Sequence, residues 1–428
     1  MRVEWENRDN SLRVTLFPDG EDALLSRRSP GLRMMTNNAT VRFPWPMADP
    51  HPDLLAIAAY SIAWPWVQRR MRFDRPISDD LAAAFTSFGI DASYAGSESI
   101  PSRRPGNRIS LAYSGGSDSI ATSELLPEDT AYVHLRRVKH PRVVNRMTHV
   151  RVDVLEALVR RAANLGRDVT IVQTDLEYVC LPYATYPVWW AISIASILTA
   201  DKVGAGGIAM GTVLEARYTA NGTRWSGASS DTYTHRLYSA AGIPIVRPVA
   251  GMTEVGTTRL SMESDLGQYS RSCLLGTLAS PCLNCDKCLR KEMTMAAVTG
   301  STLSKKLLEN MKANPGMLSK ILAEPPIYFQ DMVEYSLARI DVSGTPLQPV
   351  KDRLQPTVED TTWAEHYYRP ALIDEVPEAY RLEVEKKLRA RIDFMTPEET
   401  RIVETWDAKS RDANTSARKA RVSVDAQQ

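Results

Sequence analysis

The sequence has no excess charge of either sign. Across its 428 residues, 52 Lys and Arg stand against 51 Asp and Glu, a net charge of +1. That balance excludes the molecule-wide basic surface that grips nucleic acid without regard to sequence, so a nucleic-acid partner is not expected. Long hydrophobic runs are missing too. The longest, residues 186–200, is interrupted by small polar side chains and stops at Asp201-Lys202; it is too short for a bilayer and suits a buried helix. The opening Met1-Arg2-Val3-Glu4-Trp5-Glu6 lacks the apolar core of a secretory signal. Together these shortages predict a soluble, cytoplasmic protein with no membrane partner. Hydrophobic residues at 43% and charged residues at 24% are ordinary for a globular chain, and the length predicts two or three structural units.

Cysteine is scarce but not scattered. Of five, Cys273, Cys282, Cys285 and Cys288 crowd into one short segment, and Cys180 stands apart. An odd count, tight clustering and no secretory signal argue against a disulfide framework and for a metal site in a reducing compartment. The spacing C-x8-C-x2-C-x2-C lets four thiolates close a tetrahedral shell around zinc. With every position filled by protein, the metal would be structural. An iron–sulfur cluster is the rival reading, and four merely buried thiols a weaker one. Arg271, Lys287, Arg290 and Lys291 lie beside the cluster in sequence and could offset its charge.

Along the chain, residues 1–100 read as an appended N-terminal α+β unit. It has a strand at 14–17, a helix at 52–67 broken near Pro65, and a second helix at 79–88 capped by Ser78. A linker rich in Ser, Pro, Gly and Arg follows. Residues 108–300 alternate strands (109–113, 131–135, 169–173, 207–210) with helices (152–165, 188–200). This is the pattern of a doubly wound parallel α/β sheet, whose ligands bind at the carboxyl ends of the strands. Residues 301–406 predict a mainly helical region, and 407–428 a frayed tail.

One segment carries chemistry directly: Ser114-Gly115-Gly116-Ser117-Asp118-Ser119, after a predicted strand and opening a predicted helix. Consecutive glycines let successive amides turn toward one anion, the serines add donors, and the helix start adds its unpaired amides and positive dipole end. Two phosphates would fit such a cradle, and Asp118 suits magnesium. The plain alternative is a flexible glycine turn. The motif resembles the SGGxDS signature of the PP-loop ATP pyrophosphatase superfamily. That resemblance implies cleavage of ATP between the α and β phosphates, transfer of AMP to a substrate oxygen, and displacement of AMP by a nucleophile.

Joined to the downstream cysteines, the motif resembles the 7-cyano-7-deazaguanine synthase family over about residues 108–300. The resemblance implies a PP-loop (HUP-like) fold with a structural zinc. It implies ATP and Mg²⁺ as cofactors, a 7-deazaguanine acid as substrate, and ammonia or another amine as nucleophile. Ser114, Asp118 and Ser119 would be catalytic, and Ser114 through Ser119 would bind nucleotide. Relatives are often homodimers. The chain departs from the family at two places. Glu254 stands where a lysine is usual, and Tyr186-Pro187-Val188-Trp189 where an arginine–asparagine pair is usual. Those departures and the extra terminal regions imply a different acceptor, or a reaction ending at the amide, and a specialised relative of the enzymes of queuosine-like biosynthesis, in antiviral defence, DNA modification or a secondary-metabolite pathway. The terminal regions could contact a protein partner. The other functional readings are a tRNA sulfurtransferase of the PP-loop class and a non-catalytic ATP-binding interaction protein.

Among single residues, Asp175 follows a predicted strand and could touch ribose or base, or cap a helix. Glu215 and Asp231 are candidate acceptors for a purine-like edge. Arg136, Arg137, Lys139 and His140 could steer an anion or form a solvated loop, and Cys180 reads as a small buried side chain.

Overall fold

The computed structural model describes all residues except 21, 23–30, 97, 140–149, 182–185, 228–231 and 412–428. The chain forms two compact units. The first comprises Met1–Gly115, Leu126–Met210 and Asp231–Val246; the second comprises Gly116–Leu125, Gly211–Ser230 and Arg247–Gln428.

The first unit is built on a 10-stranded sheet. Five parallel strands lie side by side in the order Ile245–Val246, Ala205–Ala209, Arg108–Ala112, Ala131–Arg137 and Asp168–Thr174. The strand Ala205–Ala209 is buried at every residue, as expected for a parallel strand covered on both faces. Asn38–Arg42 then pairs antiparallel with Asp168–Thr174, through Val41 opposite Thr174 and Arg42 opposite Gln173. Beyond it follow Ser11–Phe17 and Arg2–Arg8, both antiparallel, and then Arg70–Phe73 and Asp91–Tyr94, parallel to their neighbours. The fold is thus α/β with a mostly parallel sheet.

Residues 1–100 are therefore not an appended unit. Their strands extend the sheet that the central strands begin, and Leu12, Val14, Leu16 and Val41 join the same core cluster as Val172 and Ile208. The sequence hides this because Ser11–Phe17 buries only alternate residues, the ordinary pattern of a one-sided antiparallel strand. The helix Pro52–Ala63 packs into that core with every residue from Asp53 onward buried. Its large side chains Leu54, Leu55, Ile57 and Ile62 contribute on the order of 1.5–3 kcal/mol each. It stops before Pro65, as expected, and Ser78 caps the helix Asp79–Ser87 through the Leu81 N–H. The run predicted as one helix over 188–200 is a 3₁₀ turn, Trp189–Ser193, leading into an α-helix, Ile194–Val203.

The second unit is mainly helical. Its helices include Ser117–Leu125, Glu254–Glu263, Asp286–Thr299, Gln330–Arg339, Glu378–Arg389 and Pro397–Glu404. The helical region expected beyond residue 300 is present, but it belongs with the helix that opens at the glycine motif. The expected 108–300 domain is accordingly shared between the two units. The chain also stays ordered past residue 407. The Ala408 N–H donates to the Thr223 carbonyl at 2.8 Å, and Arg411 pairs with Glu334 at 2.9 Å. The rest of the expected tail, 412–428, lies outside the described residues. Among the described residues, no helix is long and apolar enough to cross a membrane.

Candidate functional site

The glycine motif follows the strand Arg108–Ala112. The Tyr113 N–H donates to the Val133 carbonyl at 2.9 Å, and the Tyr113 carbonyl accepts from His134 Nδ1 at 2.9 Å. Desolvation holds the His134 pKa below its ordinary value, so the ring is a neutral buttress for the lead-in to the turn. Ser114 and Gly115 end the first unit, with Gly115 in the left-handed region at φ 73°. Gly116 opens the second unit, and the helix Ser117–Leu125 starts at once. The Ser119 hydroxyl donates to the Gly116 carbonyl at 3.0 Å and closes the first turn. Gly211 is required beside this turn, because a Cβ there would meet the Asp118 carbonyl group at 2.8 Å and the Ser119 nitrogen at 2.9 Å.

Three helices of the second unit meet at Asp118. Thr257, on the helix Glu254–Glu263, donates its hydroxyl to Asp118 Oδ1 at 2.9 Å. Lys291, on the helix Asp286–Thr299, donates to Ser117 Oγ at 3.0 Å and lies 3.6 Å from Asp118 Oδ1. The same ammonium is 3.5 Å from Glu254 Oε2, which also pairs with Arg290. The Arg290 guanidinium lies over the Phe329 ring, 3.8 Å from its centroid. Desolvation works against a charged Asp118, but Lys291, the Thr257 hydroxyl, Lys287 and Arg290 outweigh it and hold the carboxyl below the usual range. Desolvation likewise opposes the Lys291 charge, and Asp118 and Glu254 reverse that and raise its pKa. The Ser117 hydroxyl, the Asp118 carboxylate and the Lys291 ammonium therefore form a fixed group at a helix N-terminus, the kind of place where oxyanions bind.

The helix that carries Lys291 is anchored by the cysteines. Cys285 occupies its N-cap position and Cys288 its first turn. The Sγ atoms of Cys273, Cys282, Cys285 and Cys288 all lie within 4.8 Å of one another, with Cys282 and Cys288 3.6 Å apart. Four thiolates about 2.3 Å from a central zinc sit about 3.8 Å from each other, so this set can hold a metal ion such as zinc. The surroundings suit thiolates: the N–H groups of Leu275 and Cys282 both donate to Cys273 Sγ at 3.4 Å. Hydrogen bonds from Cys285 and Cys288 push the Cys273 thiol pKa down, while those with Cys273 and Cys285 push that of Cys288 up. Between Cys282 and Cys285 the backbone turns through Leu283 at φ 51°, and Asn310 holds that turn by donating to the Leu283 carbonyl at 2.8 Å.

Two comparisons bear on the chain. A family model described as "Family of unknown function (DUF6395)" matches residues 233–407. No curated protein matches. The matched stretch contains the four cysteines, Glu254, Thr257 and Lys291; the glycine motif lies outside it.

The second unit brings together Ser117, Asp118, Ser119 and the four cysteines. Glu215 is in the same unit. It is wholly buried, and its Oε1 accepts the Glu254 N–H at 2.8 Å at the start of the helix Glu254–Glu263. Desolvation and the nearby Asp331 and Glu254 charges raise its pKa well above the ordinary value. Asp175 lies in the first unit, where its carboxylate accepts the Thr40 N–H at 2.7 Å and helps tie the N-terminal strands to the strand Asp168–Thr174. Arg136 is bonded to Glu156 and Asp153, and Arg137 lies 3.6 Å from Glu177. Asp231 and His140 lie outside the described residues. Cys180 is buried, and burial with Glu177 nearby pushes its thiol up to about 12.

Of the basic residues beside the cysteines, Lys291 lies by Asp118 and Glu254, and Arg290 pairs with Glu254. The available signal was spacing: Lys287 and Lys291 are one turn apart on a helix that begins at Cys285, so they share a face. Thr257 left no trace that sequence could reveal.

Proposed function

We propose that this chain is an ATP-dependent, AMP- and pyrophosphate-forming enzyme that activates a carboxylate, a 7-deazaguanine acid being first among candidates. Ammonia or another amine then displaces AMP. The observation that carries this reading is the convergence of Ser117, Asp118 and Lys291 at the start of the helix that follows the Ser114-Gly115-Gly116 turn. Amides of Gly116 and of the first turn of the helix Ser117–Leu125, with the ammonium of Lys291, would hold the two outer phosphates. A substrate carboxylate oxygen would attack the α phosphorus while its bond to the bridging oxygen breaks, and the charge gathering on pyrophosphate would fall on donors already in place. Magnesium held by Asp118 would add positive charge on the departing phosphates.

Lys291 also gives the reading a physical account of the Glu254 departure. The cation absent at position 254 arrives from the cysteine helix instead, and Glu254 holds it. A zinc ion held by the four cysteines would then be structural, fixing the start of the helix that delivers Lys291. The sulfurtransferase alternative generally uses a free reactive cysteine or an iron–sulfur cluster. Cys180 has its thiol suppressed, and the other four are clustered with one another.

The test is pyrophosphate release from ATP with 7-carboxy-7-deazaguanine, with and without ammonia, followed by mass spectrometry of small molecules and of the protein. Expected are AMP and an amide, nitrile or amine conjugate, and a fall of at least ~100-fold in Asp118→Asn. ATP that binds without being split, or that yields ADP, would overturn the proposal.

A further inference from the structure

The sheet of the first unit has a gap in it. Asp168–Thr174 pairs with Ala131–Arg137 along its whole length, but on its other edge Asn38–Arg42 meets only Gln173 and Thr174. Among the described residues, no strand covers that outer edge from Asp168 to Val172. The sequence after Arg42 explains the departure. Pro44 and Pro46 have no N–H to give to a ladder. The Phe43 N–H donates instead to the Asn10 carbonyl and the Met47 N–H to the Asp9 carbonyl, both at 2.8 Å. The chain is drawn to the turn between the strands Arg2–Arg8 and Ser11–Phe17, and the lane beside Asp168–Val172 stays open. An uncovered edge is a template for another strand.

A cavity of about 370 Å³ occupies this place, lined by Phe43, Trp45, Val169, Thr170 and Ile171, among others. Val169 and Ile171 are half-buried and share one face of the strand, while Thr170 is buried on the other. Thr170 therefore borders the cavity with its main chain, so an occupant meets backbone as well as side chains. The independent sign of an occupant is Trp45, whose indole N–H is buried without a hydrogen-bond partner. Charge sets the occupant's sign. Three guanidiniums and one carboxylate line the cavity. Arg136 and Arg160 both pair with Glu156, and Arg136 also with Asp153 at 3.2 Å. Arg42 is exposed and makes no ion pair among the described residues.

We propose that this lane docks an extended, acidic segment of a partner protein, which adds to the sheet as a strand beside Val169–Val172. Main-chain bonds to the open edge hold the segment, and its alternate side chains give selectivity. A carboxylate of the segment pairs with Arg42, an apolar side chain lies on Ile171, and a carbonyl accepts the Trp45 N–H. A small anion could meet Arg42 but would leave the strand edge unpaired, and a nucleic acid offers no ladder to it. The inference is independent of the carboxylate-activation reading: it concerns what the sheet-bearing unit recruits, not what Asp118 does.

The experiment is calorimetric titration of the metal-loaded full chain with acetylated, amidated hexapeptides that alternate Val and Glu, in both phases. The controls are the same peptides with Lys for Glu, the same peptides N-methylated at one or the other alternate set of amides, and free glutarate. Expected is binding of a Val-Glu peptide and new hydrogen-exchange protection at Val169–Val172. The Lys peptides and one of the two N-methylated sets should bind at least ten-fold more weakly, and glutarate not measurably. Arg42→Glu should weaken the peptide at least ten-fold and Trp45→Phe about five-fold. Both variants should keep the wild-type melting temperature, which separates a lost contact from a lost fold. No binding of either Val-Glu peptide, binding that neither N-methylation weakens, or glutarate binding as tight as the peptide would overturn the proposal. A dimer of the free chain that Arg42→Glu dissolves would give the lane to a second copy, and would overturn it too.

Discussion

In the sheet-bearing unit the buried ionisable side chains are few among the described residues and mostly tied to backbone. Asp53 accepts the Ser78 N–H at 2.9 Å, and Arg103 donates to the carbonyls of Gly242 and Ala205 at 2.8 Å each while pairing with Asp201. In the helical unit Glu215, Glu254, Asp331, Glu334, Arg217, Arg247 and Glu375 are all buried. Several of them face like charge: Glu215 feels both Asp331 and Glu254. Burying a charge costs several kcal/mol unless partners compensate, and such costs gather where a site requires them. The contrast separates a unit that provides frame from one that holds strained electrostatics around Asp118.

The sharpest way to break this contrast is to remove the metal anchor. Cys288→Ser should cost the helical unit more than any other single change, on the order of 5 kcal/mol or more, because metal binding is also folding energy. Metal analysis of the wild type should find about one zinc per chain in a colourless protein. The variant should lose it, together with hydrogen-exchange protection around Lys291. Protection in the strands Arg108–Ala112 and Ala131–Arg137 should change far less. Equal loss in both units would erase the distinction.

Next in size is Gly222→Ala, again in the helical unit. Gly222 sits at φ 74°, and a Cβ there would fall 2.1 Å from Asp331 Oδ1 and 2.8 Å from the Phe329 backbone. Strain and displacement together should cost about 3 kcal/mol or more, read as a lower melting temperature. Phe329 itself sits at φ 60° and stacks on Arg290, so loss of nucleotide turnover should accompany the loss of stability.

How much of this was legible in the sequence differs between the two units for a physical reason. The central parallel strands are apolar on both faces and bounded by turn residues, so their periodicity announced them. The cysteine spacing and the Ser114–Ser119 signature were equally plain, because those motifs are contiguous. The N-terminal strands were mostly missed: Arg2–Arg8 and Arg70–Phe73 alternate charged and apolar side chains, and the pairing of Arg2 and Val3 with Arg72 and Phe73 joins segments far apart in sequence. The contacts that set the site's electrostatics were invisible for the same reason. Thr257 and Asp118 are far apart along the chain, as are Lys291 and Ser117, and no local pattern links them. The bond from the Glu254 N–H to Glu215 was equally invisible, because a carboxylate in a predicted ligand loop looks the same whether it greets a substrate or a helix N–H.

A gentler test uses pH, since the two units should respond with opposite sign. Desolvation raises Asp331 to about 7, with Glu334 and Glu254 adding to it and the Met332 N–H and Arg290 opposing. A folded pKa above the unfolded one means that stability is complete below the ordinary carboxylate value and is lost as pH rises through about 7. His134 has its folded pKa depressed, so its contribution is complete above the ordinary histidine value, about 6.5, and is lost as pH falls below it. Hydrogen-exchange protection factors should therefore decline around Gln330–Arg339 from pH 5.5 to 8 and around Ala131–Arg137 from pH 7 to 5. Asp331→Asn should remove most of the alkaline loss, worth on the order of a few kcal/mol, while keeping the Oδ1 bond to the Met332 N–H. A stability curve in that variant as steep as in the wild type would mean that another buried acid carries the charge.

The smallest effect discriminates between frame and site most directly. Asp175 stands at the end of a strand where ligands of such sheets gather, so position alone would make it a substrate residue. Its carboxylate instead accepts the Thr40 N–H, while the Asp175 N–H reaches the Thr40 carbonyl at 3.4 Å. The exchange continues the short pairing of Val41 and Arg42 with Thr174 and Gln173. Asp175→Ala should thus cost about 1 kcal/mol of stability, the usual net worth of one such bond. It should leave both the KM for ATP and the rate of pyrophosphate release within about two-fold of wild type, because nothing at Asp118 depends on it. A variant that melted like the wild type but lost turnover ten-fold would put chemistry in the sheet-bearing unit and end the division of labour argued from the buried charges.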